Sequence, residues 1–266
     1  MNPILHPSRR IATYSNAILR WTLAENAGVG LISFLNTGTY SGHPMAIKAT
    51  GDLAVTTGHR GVLGRCCRFN GARTTQRSHI ATADPSTTPT VSDQCLTMSC
   101  WVIMRQLNAT ATCVVFGKDR NTSTTNAHSA DTLALQISTT GALRVVCTTG
   151  TAGSGTQTIT AATSLLKENV PYLIAATYDG VNMRGYVNGD CVLNTAKTGN
   201  LDWGTDNSNK GGPWYVGGPR TTNAAQDNQM FDGTVEECVV ETAVVSEMQL
   251  RARYFRGMAL YAQDAA

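Results

Sequence analysis

Adjacent carboxylates come nearest to a catalytic pattern in this sequence. Glu236 and Glu237 form its one pair of neighbouring acidic residues. A glycosidase needs two carboxyl groups about 5–9.5 Å apart across the sugar bond, whereas neighbouring residues on a β-strand point to opposite faces. No Gly-x-Ser-x-Gly motif supports a Ser-His-Asp triad. We therefore expect a protein that is not an enzyme.

Eight cysteines and five histidines raise the question of metal ligation or disulfide formation. Cys66 and Cys67 are adjacent, and the Cys-x-x-Cys spacing of a zinc site does not occur. A free cysteine in an apolar run acts as a small hydrophobe. The cysteines in such runs are Cys100, Cys113, Cys147, Cys191 and Cys238. We expect reduced core cysteines, with disulfides and metal ligands as the alternatives.

Targeting signals give a first expectation for the compartment. The opening residues lack the charged and apolar regions of a signal peptide. No apolar run reaches the roughly 18 residues that a membrane-spanning helix requires. These features predict synthesis in the cytoplasm, reduced thiols and no membrane partner.

The charge of the chain is small in total but uneven. The net charge is +3, yet residues 1–80 hold nine basic and two acidic side chains. The arginines that cluster most closely are Arg60, Arg65, Arg68, Arg73 and Arg77. They indicate either a basic face for an acidic partner or outward-facing side chains on separate strands and loops. Nucleic acid is a poor fit, because Phe69 is the only aromatic residue among them.

Turn signals divide much of the chain into short strands. Asp179-Gly180 and Asn188-Gly189 predict two tight type I′ turns, which need positive φ at both central residues. The alternating residues between and beside them predict an antiparallel meander. Apolar runs at 95–107, 113–119, 131–139, 142–149 and 230–241 predict further strands. The pattern is typical of an all-β protein.

One helix is predicted near the end of the chain. Ser246 and Gln249 have the spacing of a capping box. Met248, Tyr254 and Phe255 are expected on or near its buried stripe, and Gly257 as its C-cap. We divide the chain into an N-terminal arm at 1–12, a single domain at 13–258 and a C-terminal tail at 259–266.

Six motifs in order carry a resemblance to a known family. They include Trp21-x-Leu23-x-Glu25-x-x-Gly28, the strand around Trp101, and the double-turn stretch at 171–192. They also include the runs at 68–72, 214–218 and 231–254. Together they resemble laminin G-like, concanavalin A-like domains over roughly residues 16–256. The resemblance implies a two-sheet antiparallel jelly-roll sandwich with one short C-terminal helix.

The resemblance also implies that calcium is a possible cofactor. Related domains sometimes use one loop-held calcium, which wants 6–8 oxygen ligands. The candidate carboxylates are Asp119, Asp131, Asp202, Asp206 and Asp232. The stretch at 202–209 lacks a regular Asp-x-Asp-x-Asp spacing, and a turn with Gly233 accounts for Asp232. The metal therefore stays unassigned.

A carbohydrate site is the next expectation from this resemblance. Jelly-roll lectins stack an aromatic ring on the sugar and fix its hydroxyls with Asp or Asn. The loop at 197–212 offers Trp203, Asp206 and Asn209 for that purpose. Trp21, Trp101 and Trp214 lie in strand-like runs and are expected in the core.

Two functions without catalysis therefore remain. A jelly roll without an export signal suits a virus particle protein, made in the host cytoplasm as a capsid decoration or tail-associated component. Arg9 and Arg10 of the arm would then grip an acidic capsid surface, unless the arm is a frayed terminus. Other virion proteins and further copies of the chain would be its partners. The alternative is a lectin-like adhesion module for cell-surface glycans, outside the cell or on its surface.

Overall fold

The computed structural model describes residues 17–21, 23, 33–34, 45–50, 55–71, 77–82, 94–119, 131–150, 155–203, 212–218 and 229–263. Within these ranges the chain forms sixteen β-strands and one α-helix, and every strand pair is antiparallel. The strands divide equally between two sheets. This architecture confirms the predicted all-β jelly-roll sandwich.

The first sheet is built around the longest strands. Its order is β14-β13-β12-β7-β16-β5-β4, with β1 paired to β16 beside β5. The strands are β1 (Ala17–Trp21), β4 (Val55–Arg60), β5 (Arg65–Asn70), β7 (Leu96–Met104), β12 (Pro171–Tyr178), β13 (Asn182–Val187), β14 (Asp190–Ala196) and β16 (Asp232–Glu241).

The second sheet contains the other eight strands. Its order is β11-β10-β9-β8-β15-β6-β3-β2. The strands are β2 (Ser33–Phe34), β3 (Met45–Thr50), β6 (Arg77–Thr82), β8 (Cys113–Lys118), β9 (Leu133–Ile137), β10 (Leu143–Thr149), β11 (Gly155–Thr160) and β15 (Trp214–Val216). The short strands β2 and β3, together with β4, lie where the sequence predicts only short apolar pieces.

The core fills the space between the two sheets. Phe69, Phe116, Phe231 and Trp214 are all buried in one continuous cluster with the inward residues of both sheets. Burial of a large apolar side chain contributes roughly 1.5–3 kcal/mol. Every residue of β12 is buried as well, because the helix covers part of the outer face of the first sheet.

The helix α1 (Glu247–Gln263) begins as predicted and ends later than predicted. The Ser246 amide donates to Gln249 Oε1 at 2.9 Å, and the Gln249 amide donates to Ser246 Oγ at 3.3 Å, which confirms the capping box. Gly257 is not a C-cap. It lies inside the helix against Trp101, where a Cβ would come within 2.1 Å of the indole ring. The predicted tail therefore starts inside this helix.

The buried face of α1 differs from the predicted stripe. Met248 and Phe255 are 78% and 66% exposed, so their predicted burial is wrong. Leu250, Arg253 and Gly257 face the sheet instead. Tyr254 does pack near the core, with its ring centroid 5.9 Å from that of Trp101. The helix therefore has apolar residues on two opposite sides.

A buried ion pair fastens the helix to the first sheet. Arg253 donates through Nη1 to Glu241 Oε2 at 2.6 Å and through Nη2 to Glu241 Oε1 at 2.8 Å. Both side chains are almost fully buried. A bidentate arginine–carboxylate pair fixes both distance and angle, so it sets the position of α1 on β16.

The two predicted tight turns differ from each other. At the second turn, Asn188 and Gly189 both have positive φ, 57° and 89°, as a type I′ turn requires. At the first turn, Gly180 has a φ of 83° but Asp179 is not left-handed. Asp179 Oδ1 instead accepts hydrogen bonds from the amides of Val181 and Asn182. The prediction of type I′ geometry is therefore correct only for the second turn.

Candidate functional site

The segment 198–203, here called the platform segment, is held firmly at one end of the sandwich. Thr149 Oγ1 donates to Thr198 O at 2.9 Å, and the Gly150 amide donates to Asn200 O at 3.0 Å. Leu201 forms an isolated antiparallel bridge with Thr149. The Tyr178 hydroxyl adds a hydrogen bond to Gly199 O. Strands from both sheets thus fix this segment.

Trp203 ends the platform segment and rests on the core. It is partly buried, and its ring lies 6.5 Å from that of Trp214 at an interplanar angle of 56°. The amide of Asp202 donates to Thr148 O at 3.0 Å, which fixes the backbone just before the indole. An aromatic ring held this way is an orientated surface with one side on the protein. Asp206 and Asn209, predicted as its partners, lie outside the described residues.

Charged groups gather at the same end of the sandwich. Asp119, Asp131 and Asp202 are buried there, and Thr132 Oγ1 donates to Asp202 O at 2.7 Å. Lys118 is buried as well, and its ammonium donates to Asp119 O at 3.1 Å and to Gly212 O. Sequence reasoning missed this lysine, although a lysine within an apolar run is a recognisable signal. It supplies positive charge beside buried acids.

These acids also change the titration of a neighbouring tyrosine. Burial, with the charge of Asp131 and then that of Asp119, raises the pKa of the Tyr215 hydroxyl well above its usual value. Gly117 gives the hydroxyl room, since a Cβ there would lie 2.4 Å from Tyr215 Oη. Tyr215 therefore stays protonated at neutral pH.

The acidic side chains considered for calcium do not form a cluster within the described residues. Among them, no three His, Cys, Asp or Glu side chains lie close enough together to hold a metal ion. Asp206 lies outside the described residues. Asp232 is part of β16, not of a turn, and both its carboxylate oxygens bind Arg105.

The adjacent glutamates do not follow the predicted strand alternation. Glu237 has a φ of 54° at a β-bulge between β16 and β7. Val235 and Cys238 both belong to the core, so the two glutamates between them share the outer side. The prediction that they point to opposite faces is therefore wrong, because a bulge inserts an extra residue.

Each glutamate nevertheless has its own buried partners. Glu236 Oε2 accepts from the Val62 amide at 2.6 Å, and Glu236 Oε1 accepts from the Leu63 amide at 2.9 Å. Glu237 forms an ion pair with Arg20. Burial raises the pKa of Glu236 to about 8, opposed by the Leu63 amide and increased by the charge of Glu237. Both side chains are only 3% exposed, so neither can reach a substrate in this arrangement.

The cysteines are free thiols in mostly buried positions. Six of the eight are buried, whereas Cys95 is partly exposed and Cys191 is exposed, against its predicted core placement. Burial raises the pKa of Cys113 and of Cys147 to about 12. Such thiols are poor nucleophiles and metal ligands at neutral pH.

The basic residues of the first part of the chain lie on different elements. Arg65 and Arg68 belong to β5 in the first sheet, whereas Arg77 belongs to β6 in the second. Arg60 of β4 lies directly opposite Arg65, so these two arginines are neighbours, whereas Arg77 is separate from them. Arg73, Arg9 and Arg10 lie outside the described residues.

Solved structures share this fold at low sequence identity. A structure of botulinum neurotoxin type C, described by its interaction with two ganglioside molecules, aligns with a TM-score of 0.60 and 9% identity over 91% of this chain and 51% of its own. The binding domain of Paraclostridial mosquitocidal protein 1 aligns at 0.59 and 11% identity, over 90% and 52%. The binding domain of botulinum neurotoxin DC, in complex with rat synaptotagmin II, aligns at 0.59 and 9%, over 91% and 52%. The chain spans about half the length of these proteins.

Comparison with family models identifies the family, whereas comparison with single proteins does not. None of the curated proteins matches the chain significantly. The α-helix of the described residues is not long and apolar enough to cross a membrane. A laminin G family model, described as the concanavalin A-like lectin/glucanase superfamily, matches residues 74–251, a later start than the predicted residue 16. The chain therefore belongs to the concanavalin A-like lectin/glucanase superfamily.

Proposed function

We propose that this chain is a non-enzymatic binding module that contacts carbohydrate through Trp203. The observation that carries the proposal is the fixed position of Trp203 on the platform segment and against Trp214. An orientated ring loses little conformational freedom when a ligand binds, which favours affinity. Asp206 and Asn209 would supply the polar contacts to sugar hydroxyls.

The fold neighbours support a binding role for this architecture. The type C neurotoxin structure is described by its interaction with ganglioside, and the DC binding domain is in complex with synaptotagmin II. By analogy of fold alone, we infer a cell-surface partner and an extracellular location for this chain. Calcium stays part of the proposal, as an ion that Asp206 and hydroxyls of the sugar would hold together.

Replacing Trp203 with Ala should strongly weaken glycan binding at the platform segment. The indole would provide the stacking surface, whose loss we expect to weaken binding at least about tenfold. A glycan array probed with wild-type and Trp203→Ala protein, each with calcium and with chelator, measures the effect. Phe255→Ala is the matched control, since it removes an exposed aromatic ring elsewhere. An array without signal in either buffer contradicts the proposal.

A virus particle component is the second candidate function. The observation in its favour is an apolar stripe on the solvent side of α1, formed by Met248, Ala252, Phe255, Ala259 and Ala262. Their spacing of four and three residues is that of a helix–helix contact. Arg256 flanks the stripe, so an acidic capsid or tail protein is the partner that we infer. Localisation would then be the virion, after synthesis in the host cytoplasm.

Mass spectrometry of purified virus particles tests this second candidate. We expect the chain to be present in stoichiometric amounts, and the variant Met248→Ser/Phe255→Ser to be incorporated several-fold less. The substitutions lie on exposed positions, so the fold should persist, which thermal unfolding checks. Absence of the chain from every particle preparation contradicts the virion role and leaves the glycan proposal untouched.

A further inference from the structure

Two buried cysteines lie beside each other at the centre of the first sheet. At the bulge between β7 and β16, the register leaves Cys100 as the one residue that faces Glu237 and Cys238 together. Both cysteines belong to the core cluster between the sheets, and neither is exposed to solvent. Because Glu237 lies on the outer side, the Cys100 thiol meets the Cys238 thiol on the inner side of the sheet.

The spacing of the two strands suits a disulfide bond. Residues that face each other in an antiparallel pair have Cα atoms roughly 4.5–5.5 Å apart, and a disulfide joins Cα atoms roughly 4.4–6.8 Å apart. Burial, and after it a hydrogen bond with the Cys100 thiol, raises the pKa of the Cys238 thiol well above its usual value. The two thiols are therefore already in contact, and a bond between them needs no change in the strand register.

The other core cysteines are less well placed to react with this pair. Cys67 lies on β5, and its Sγ donates to Leu23 O at 3.5 Å. Cys113 and Cys147 belong to the second sheet, where β9 separates their strands. Among the described cysteines, the cross-strand pair in the first sheet is therefore the best site for a disulfide.

We propose that Cys100 and Cys238 form a disulfide bond when the chain folds under oxidising conditions. The oxidant is a low-molecular-weight disulfide such as oxidised glutathione. The sulfur atoms of the two cysteines become joined, and their two protons and two electrons pass to the oxidant, whose own S–S bond breaks to give two thiols. The site depends neither on Trp203 nor on any ligand.

Folding decides the redox state of this pair, because the folded protein shields both sulfur atoms. The thiolate is the reactive form of cysteine, and burial with a raised pKa leaves little of it. In the unfolded chain the thiols are exposed and titrate near their ordinary pKa of about 8.5, so exchange can proceed. A chain that folds outside the cell should therefore contain the disulfide, whereas a chain that folds in the cytoplasm for assembly into a virion should keep both thiols.

Oxidative refolding of the full chain tests this proposal. Reduced protein in urea is refolded either with reduced and oxidised glutathione or with dithiothreitol, and its free thiols are then alkylated in denaturant. After refolding with glutathione, we expect two of the eight cysteines to escape alkylation and mass spectrometry of a protease digest to find the peptide that links Cys100 to Cys238. The urea midpoint of unfolding should also be higher than after refolding with dithiothreitol, because the cross-link restricts the unfolded chain.

Variants of single cysteines separate this bond from other effects of oxidation. Cys238→Ala should lose both the linked peptide and the difference in urea midpoint, whereas Cys147→Ala, which changes a buried cysteine of the second sheet, should keep both. Alkylation of all eight cysteines after refolding with glutathione overturns the proposal, and so does a peptide that links Cys238 to Cys67. The digest of the wild type needs no variant, so this test holds even where a substitution impairs folding.

The folded, reduced protein provides the test of timing. When it is given oxidised glutathione without denaturant, it should keep its thiols for hours, since neither sulfur atom is exposed. Rapid formation of the linked peptide under these conditions would overturn the inference that folding decides the redox state.

Discussion

Replacing Arg253 with Met should lower the free energy of unfolding by about 3–5 kcal/mol. The substitution removes the guanidinium and leaves the carboxylate of Glu241 buried at 2% exposure without its bidentate partner. Breaking a buried ion pair on one side costs this much, because the remaining charge has lost its hydration as well as its partner. Urea unfolding followed by tryptophan fluorescence measures the change, since Trp101 lies beneath the helix.

Two further variants identify the cause of that loss. Arg251 forms exposed ion pairs with Asp190 and Glu247, so Arg251→Met should cost less than about 1 kcal/mol. The double variant Arg253→Met/Glu241→Leu removes both buried charges and should recover most of the stability. A loss for Arg253→Met no larger than that for Arg251→Met would show that the buried pair does not hold the helix.

Local sequence signals predict the elements that depend on local geometry. Asn188-Gly189 predicts its turn because few other residue pairs accept positive φ at both positions. Ser246 and Gln249 predict the helix start because the capping bonds lie within four residues of chain. The apolar runs predict the central strands, which are buried on both faces. These signals need no knowledge of the rest of the fold.

The errors arise where a distant contact decides the local structure. Gly257 looks like a helix end, yet it is small because Trp101 lies against it. Met248 and Phe255 look like core residues, but the sheet contacts the other side of α1. The bulge at Glu237 changes the faces of both glutamates, and no turn residue marks it. Each of these depends on residues far away along the chain.

In the candidate site too, the sequence shows the residue types but not the distant contacts that position them. The residue type of Trp203 is visible in the sequence, but its anchoring depends on Thr149 and Tyr178 of other strands. The ion pair of Arg105 with Asp232 is less visible still, because the two residues are 127 positions apart along the chain. Two residues that pair across so many positions leave no periodic pattern in the sequence. The architecture is thus predictable from patterns, whereas contacts between distant residues require the assembled sheets.

The free energy of unfolding should decrease as pH rises from about 5 to 9. In the variant Glu236→Gln this decrease should be much smaller. Burial raises the pKa of Glu236 from 4.5 to about 8. The folded state therefore keeps a proton that the unfolded chain releases, so the stabilisation is complete below pH 4.5 and is lost as pH rises through about 8. One pKa unit corresponds to about 1.4 kcal/mol, so we expect a difference of a few kcal/mol. Gln resembles the protonated carboxyl, and its oxygen can still accept from the amides of Val62 and Leu63.

Urea unfolding at pH 5, 7 and 9 measures this effect as the difference between the wild type and Glu236→Gln. Other titrating groups, including His59 and the cysteines, are shared by both proteins and cancel in that difference. Asp190→Asn removes a carboxylate that is 65% exposed, so it serves as the matched control for the loss of an acidic side chain. The difference in the free energy of unfolding between the wild type and Glu236→Gln could instead stay constant from pH 5 to 9. That result would mean that Glu236 is already ionised in the folded protein. In that case the amides of Val62 and Leu63, with help from Arg20 next to Glu237, would outweigh the cost of burial.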